Sequence, residues 1–369
     1  MTQLPRRRAA RGAQHDPHNR LHALRVVSVP ELHDAAPADE HGVFAEADDR
    51  TRYVPTHPKT ILNRITSPDV RGEWGLNPYQ GCEHGCAYCF ARNTHNYWGY
   101  SAGQDFERVI LVKRNAVSLL DAALSRPTWR ASPLMISGNT DCYQPVERRE
   151  RLTRGVLELC QRYRHPVGII TKNSLIRRDL DVIGRLAADG LCHVAVSVTT
   201  LDEALRRTLE PRTATARQRL RVIRELTDAG VPVRVMIAPI IPGLTDHEIF
   251  DIARAATEAG ARSISYTVVR LNGDVAEVFE RWIRTHFPAR AERVLNRIRD
   301  CHGGQLNDSR FGQRQRGSGT YADTIAARIR LARRRFLPHT ADHGSSADDL
   351  PPYNTELFER YRPGQHSLF

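Results

Sequence analysis

Lysine is almost missing from this sequence. It occurs only at Lys59, Lys113 and Lys172, so nearly all of the 54 basic residues are arginines. Genomic base composition can produce such a skew, which weakens the net charge of +12 as a sign of a polyanionic partner without contradicting one. There is no run of about eighteen apolar residues, which excludes a membrane-spanning helix. The N-terminus is basic but has no apolar h-region, so it does not read as a secretory signal. There is no second C-x-x-C and no internal repeat, and the H-x3-H pairs His18/His22 and His339/His343 lie far from the cysteines in sequence. Structural zinc sites usually draw on two such separated ligand pairs. Seven cysteines, three of them crowded together, argue for a reducing cytosol and against a disulfide framework.

What the chain does have is the stretch Gly81-Cys82-Glu83-His84-Gly85-Cys86-Ala87-Tyr88-Cys89-Phe90. Its C-x3-C-x2-C spacing, relieved by two glycines, lets Cys82, Cys86 and Cys89 wrap around one metal centre. Three thiolates on a cubane iron–sulfur cluster leave one iron without a protein ligand, free to bind and activate a small molecule. Zinc held by the three thiolates and His84 is the rival from spacing alone.

Apolar residues make up 40% of the 369, enough for a substantial core. Residues 1–50, with the basic run Arg6-Arg7-Arg8, lack sustained apolar periodicity and read as a disordered tail. Residues 51–75 read as an irregular lead-in. Strand and helix signals then alternate: Pro133–Ser137, Val167–Thr171, Cys192–Val198, Val233–Ile237 and Ser263–Val269 as strands, with helices between them closed by Gly190, Gly230 and Gly260. Continuous apolar strands separated by helices mean a parallel sheet covered on both faces. With a strand before Cys82 there are about six βα units. The expected core is a partial (β/α)6 barrel over 51–288. A helical C-terminal extension over 289–337 and a flexible, Pro- and Asp-rich tail over 338–369 follow it. In parallel barrels the chemistry sits at the C-terminal strand ends.

The cysteine loop, led in by Asn77-Pro78-Tyr79-Gln80 and carrying Tyr88 before its last cysteine, resembles the signature of the radical S-adenosylmethionine (SAM) enzymes. The partial barrel is that family's core fold. The resemblance implies a [4Fe-4S] cluster on Cys82, Cys86 and Cys89, with SAM chelating the open iron and an electron donor for the cluster. It also implies a 5′-deoxyadenosyl radical released on reduction, and packing of Tyr88 near the adenine. The segment Thr140-Asp141-Cys142-Tyr143-Gln144-Pro145 resembles the branch containing spore photoproduct lyase and its uncharacterised relatives. The usual Gly-Gly-Glu is replaced by Gly138-Asn139-Thr140, so Asn139, Thr140 or Asp141 would take the methionine amine.

The same resemblance points to Lys172 and Arg212 for the SAM carboxylate and to Ser197 for the ribose. Ile241 and Gly243, with Asp246 as cap of the next helix, would support the adenine. Ser174 would cap the helix after Lys172. Cys142, at a strand end, would face the mouth and could return a hydrogen atom to a product radical, or it would be a small buried thiol, which fits equally well. Cys160 and Cys192 read as core, and Cys301-His302 is too little for a second metal site.

The C-terminal Gln365-His366-Ser367-Leu368-Phe369 resembles the peptide by which bacterial repair proteins hold the DNA polymerase sliding clamp, with Gln365, Leu368 and Phe369 as its contacts. The expected function is cytosolic radical SAM chemistry on DNA, photoproduct-lyase-like. A small-molecule, peptide or RNA substrate is the alternative within enzymes. A metal-stabilised nucleic-acid-binding protein without turnover is the alternative outside them.

Overall fold

The computed structural model describes residues 11–19, 21, 51–70, 72–337 and 350–359. Ten strands form two sheets: β1 (Arg52–Thr56), β2 (Leu62–Arg64), β3 (Trp74–Leu76), β4 (Tyr79–Gln80), β5 (Val109–Lys113), β6 (Leu134–Ile136), β7 (Val167–Thr171), β8 (Cys192–Ser197), β9 (Val233–Ile240) and β10 (Ser263–Val268). The larger sheet runs β10-β9-β8-β7-β6-β3-β2. All its neighbours are parallel except β2 and β3. Leaving out β2, six parallel strands remain, as the sequence predicts. Among the described residues the sheet does not close, leaving β10 and β2 as its edges.

The registers keep the strands level: Val167 faces Cys192, and Val194 faces Val233. The ends of β6, β7, β8 and β9 therefore arrive together on one side. β-Branched residues fill these strands, and helices on the outside bury them. Leu157, Ile169, Val196, Ile223 and Ile252 belong to one continuous core. Glycines at positive φ close the helices at Gly190, Gly230 and Gly260, where a left-handed turn is needed.

The structure departs from the sequence reading in several places. Residues 51–75 are not an irregular lead-in, since they carry β1, β2 and β3. The sequence alternates like a short strand over Arg108–Lys113, and the strand it forms, β5, lies outside the barrel sheet, between β1 and β4. The apolar pattern reads as one helix over Glu147–Tyr163, but it breaks at Arg151, whose φ is 53°, into Glu147–Glu150 and Leu152–Arg162. Asn173, not Ser174, caps the turn after β7, its side chain accepting from the Leu175 amide. Asp246 does not cap its helix, its oxygens accepting instead from the Gly243 amide and the Tyr321 hydroxyl.

Two segments from the regions read as tails also pack on the barrel. Tyr353 stacks on His193 at the N-terminal end of β8, and Phe358 stacks on Tyr163. Arg11–Asn19 lies over the cysteine loop, with Gly12 against Gly85. The basic run Arg6-Arg7-Arg8 and the C-terminal Gln365–Phe369 fall outside the described residues. Among the described residues no helix is long and apolar enough to cross a membrane.

Candidate functional site

The chain leaves β3, forms β4 and turns at once into the cysteine loop. Gly81 and Gly85 sit at φ 78° and 66°. A Cβ at Gly81 would crowd the Val109 carbonyl, and one at Gly85 would crowd the Glu107 carboxylate, so this path tolerates only glycine. Cys82 and Cys86 are buried and Cys89 is partly exposed. Burial is the main force holding all three thiols above their ordinary pKa, so a centre that takes them as thiolates must displace their protons. Among the described residues no three His, Cys, Asp or Glu side chains are grouped to hold a single metal ion.

His84 does not join the cysteines. Its Nε2 lies 2.8 Å from Asn173 Nδ2 and its Nδ1 lies 3.5 Å from Asp141. Burial lowers its pKa, against the pull of Asp141. Asp141 in turn accepts from Thr171 Oγ1 at 2.9 Å, from the Lys172 amide at 2.7 Å and from the Tyr143 amide at 2.8 Å. One carboxylate thus joins the ends of β6 and β7 to the cysteine loop.

Gln144, fully buried, clamps the loop directly. It donates to the Gly81 carbonyl and accepts from the Glu83 amide, both at 3.0 Å. Arg92, also fully buried, donates to the Cys86 carbonyl at 3.0 Å and pairs with Glu107 at 2.6 Å. Glu107 then accepts from the amides of Gly12 and Ala13 at 3.1 and 2.7 Å, fixing the N-terminal strap. Asn19 donates to the Asn96 and Tyr100 carbonyls at the strap's far end.

Tyr88 turns inward to a buried polar network centred on Glu210. The Tyr88 hydroxyl donates to Glu210, as does Thr199 Oγ1 at 2.7 Å. Arg219 pairs with the other Glu210 oxygen, and Lys172 Nζ lies 3.2 Å from the first. Lys172 Nζ also donates to the Ala238 carbonyl at 3.0 Å and sits 5.7 Å from the Tyr88 ring centre. Burial pushes the Glu210 carboxyl up, but Arg219 and Lys172 outweigh it and hold the group ionised, well below its ordinary range.

Tyr88 and Lys172 therefore meet in one network. Ser197 adjoins it through its carbonyl, which accepts from Arg219 Nη1 at 3.0 Å. Arg212 points elsewhere, pairing with Glu83 at 3.2 Å. The Thr140 hydroxyl donates to the Tyr79 carbonyl at 2.6 Å, and the Asn139 amide donates to Asn77 Oδ1 at 3.0 Å. Both residues stand at the strand end beside the loop.

Cys142 lies just past the end of β6, packed inward. It is fully buried in the core shared with Tyr143, Val156 and Leu157, and its carbonyl accepts from Thr153 on the covering helix. Burial raises its pKa well above the ordinary thiol value. Cys301 is likewise buried, and His302 Nε2 bonds the Val269 carbonyl.

Sequence reading missed Glu210, Arg219, Arg92, Glu107 and Gln144 as parts of the site. The faint signal for Glu210 was its place before Pro211, which forces an extended backbone and turns a charged side chain out of its helix.

Residues 76–256 match the family model described as the radical SAM superfamily. An uncharacterised protein of Mycobacterium tuberculosis is 34% identical over 247 residues, covering 66% of this chain and 72% of the relative. An uncharacterised protein of Methanocaldococcus jannaschii is 24% identical over 239 residues, covering 65% and 85%. Spore photoproduct lyase complexed with dinucleoside spore photoproduct is structurally similar. Its TM-score is 0.56 at 15% identity, over 78% of this chain and 80% of that one.

Proposed function

The chain belongs to the radical SAM superfamily, whose cofactors are a [4Fe-4S] cluster and SAM, and from that membership we propose that it cleaves SAM to act on damaged DNA. The observation that carries the cofactor part is the cysteine loop, wound at two obligatory glycines and set where the ends of β6, β7, β8 and β9 meet. When bound, the cluster supplies the electron that releases a 5′-deoxyadenosyl radical from SAM.

The chain's own residues hold and screen that chemistry. Cys82, Cys86 and Cys89 are the proposed cluster ligands. Gln144 and Arg92 fix the loop's backbone so that the thiols keep their spacing. The strap over residues 11–19 covers one side and keeps water from it. Tyr88, Lys172 and Ser197 face SAM, with Asn139 and Thr140 near its methionine end and Arg212, through Glu83, bracing the loop. Lys172 is the proposed partner of the SAM carboxylate, and Glu210 holds its ammonium in place meanwhile. An electron donor reduces the cluster, and a reducing cytoplasm suits seven free thiols.

Lys172→Ala is expected to weaken SAM binding roughly tenfold or more while leaving iron content unchanged. Calorimetric titration of the cluster-loaded protein measures this, and equal affinities would remove Lys172 from the SAM site.

DNA as substrate is supported by the net charge of +12 and by the shared fold with spore photoproduct lyase. The test is 5′-deoxyadenosine release under reduction, with ultraviolet-damaged or undamaged DNA present. Damage-dependent release supports the reading, and release indifferent to both DNAs counts against it. The C-terminal Gln365, Leu368 and Phe369 are proposed to seat in the sliding clamp. A clamp pull-down comparing the parent with a Leu368→Ala, Phe369→Ala variant tests that contact, and equal retention would exclude it.

A further inference from the structure

The barrel sheet is open between its two edges, and one loop crosses the gap. The Gly312 amide donates to Asp69, on the turn from β2 to β3 at one edge, and Arg314 pairs with the same carboxylate. The Val268 amide, on β10 at the other edge, donates to the Gln315 carbonyl at 2.8 Å. This loop presents an unusual surface. Phe311 is 60% exposed, and the Arg314 guanidinium stands 4.7 Å from its ring centre. Arg316, also exposed, stands 4.5 Å from the ring of Tyr266 on β10.

The surface continues to the cysteine loop. Phe90 directly follows Cys89 and is 42% exposed. The Arg270 guanidinium lies 5.3 Å from its ring centre. Burial lowers the basicity of Arg270, Arg314 lowers it further, and Asp69 only partly offsets them. Two guanidiniums share one carboxylate here, so positive charge is left over. Exposed aromatic faces interleaved with under-neutralised arginines would be costly as bare surface. They match the chemistry of unpaired nucleotides, with bases on the rings and phosphates on the guanidiniums.

We propose that the surface formed by Phe90, Arg270, Phe311, Arg314 and Arg316 binds an unpaired stretch of nucleic acid and leads it toward the cysteine loop. The proposal rests on the DNA-directed reading and names how that substrate is held. An intact duplex hides its base faces in the stack, so a single strand or an extruded nucleotide is the ligand that fits.

The experiment is fluorescence anisotropy on the cluster-loaded full chain with a labelled single-stranded DNA oligonucleotide, the same sequence as RNA, and the DNA duplex, over a salt series. The expected result is tighter binding of the single strand than of the duplex. Phe311→Ala weakens the single strand roughly tenfold without changing the salt slope. Arg316→Gln weakens it and lowers the slope by about 0.7 for one lost phosphate contact. Iron content is the folding control for both variants. Preference for the DNA or the RNA strand identifies the source of the unpaired nucleotides, and either supports the surface. Duplex bound as tightly as single strand, unchanged affinity of Phe311→Ala, or equal competition by polyglutamate would each overturn it. Turnover is read separately. Strand binding that depends on Phe311 but never alters 5′-deoxyadenosine release would overturn the DNA-directed reading and leave the surface standing. Damage-dependent release with unaltered binding in both variants would overturn the surface alone.

Discussion

Cys86→Ala is expected to strip the protein of its cluster and to lower SAM cleavage by at least roughly three orders of magnitude. Cys86 is the middle cysteine of a loop with no spare ligand nearby, because His84 is committed to Asn173 and Asp141. Two thiolates would remain for a centre that needs three. Iron and sulfide analysis, the cluster's visible absorbance and 5′-deoxyadenosine release read the effect together. Cys142→Ala is the informative control. That thiol lies in the core beneath the helix Leu152–Arg162, so its loss should cost some stability while iron and cleavage persist. A Cys86→Ala protein that keeps its iron would refute the cluster assignment. A Cys142→Ala protein that keeps its iron and still cleaves SAM but no longer completes the product would return Cys142 to the chemistry.

The second large effect is expected at Glu210. Its carboxylate is fully buried and carries Arg219, Lys172, Tyr88 and Thr199 on two oxygens. Glu210→Ala leaves the Arg219 guanidinium buried without its counter-charge. Breaking one side of such a pair costs about 3–5 kcal/mol, because desolvation of the remaining ion is no longer offset. The melting temperature should fall by on the order of 10 °C. Lys172, released from Glu210, should also lose its fixed position, so SAM affinity falls in whatever fraction stays folded. Glu210→Gln keeps the shape and one acceptor and should fall between the two. Thermal unfolding followed by circular dichroism decides the matter. A Glu210→Ala protein melting within about 2 °C of the parent would mean that Arg219 finds other partners.

The six parallel strands and the cysteine loop could be read from sequence because their signals are local. Val167–Thr171 announces itself by an apolar run between a helix end and a cap, and Cys82, Cys86 and Cys89 lie within eight residues of each other. The pairings that hold the site are not local. Glu210 meets Tyr88 across 122 positions, and Glu107 meets Gly12 across 95. No periodicity marks such partners, since each forms only when the fold brings them together. The burial of Cys142 was hidden for a related reason. A strand end fixes where the backbone goes, but the side chain's direction depends on the helix Leu152–Arg162 that covers it. The small sheet of β1, β5 and β4 escaped because Tyr79–Gln80 is only 2 residues long, too short to carry a pattern.

The strap adds a matter of timing to a matter of shape. Residues 11–19 leave the ribosome before the cysteine loop exists, yet their docking site, Glu107 clasped by Arg92, is complete only after that loop has turned. The loop is therefore expected to turn before the strap docks, at a stage when the machinery that delivers iron and sulfide could still reach its thiols. Docking of the strap ends that stage, since an added Cβ at Gly12 would overlap the Gly85 carbonyl and the fit leaves no slack. Gly12→Val should accordingly load its cluster as readily as the parent and then bleach sooner in air. Maturation and durability become separable properties, governed by opposite ends of the same hydrogen-bonded clasp.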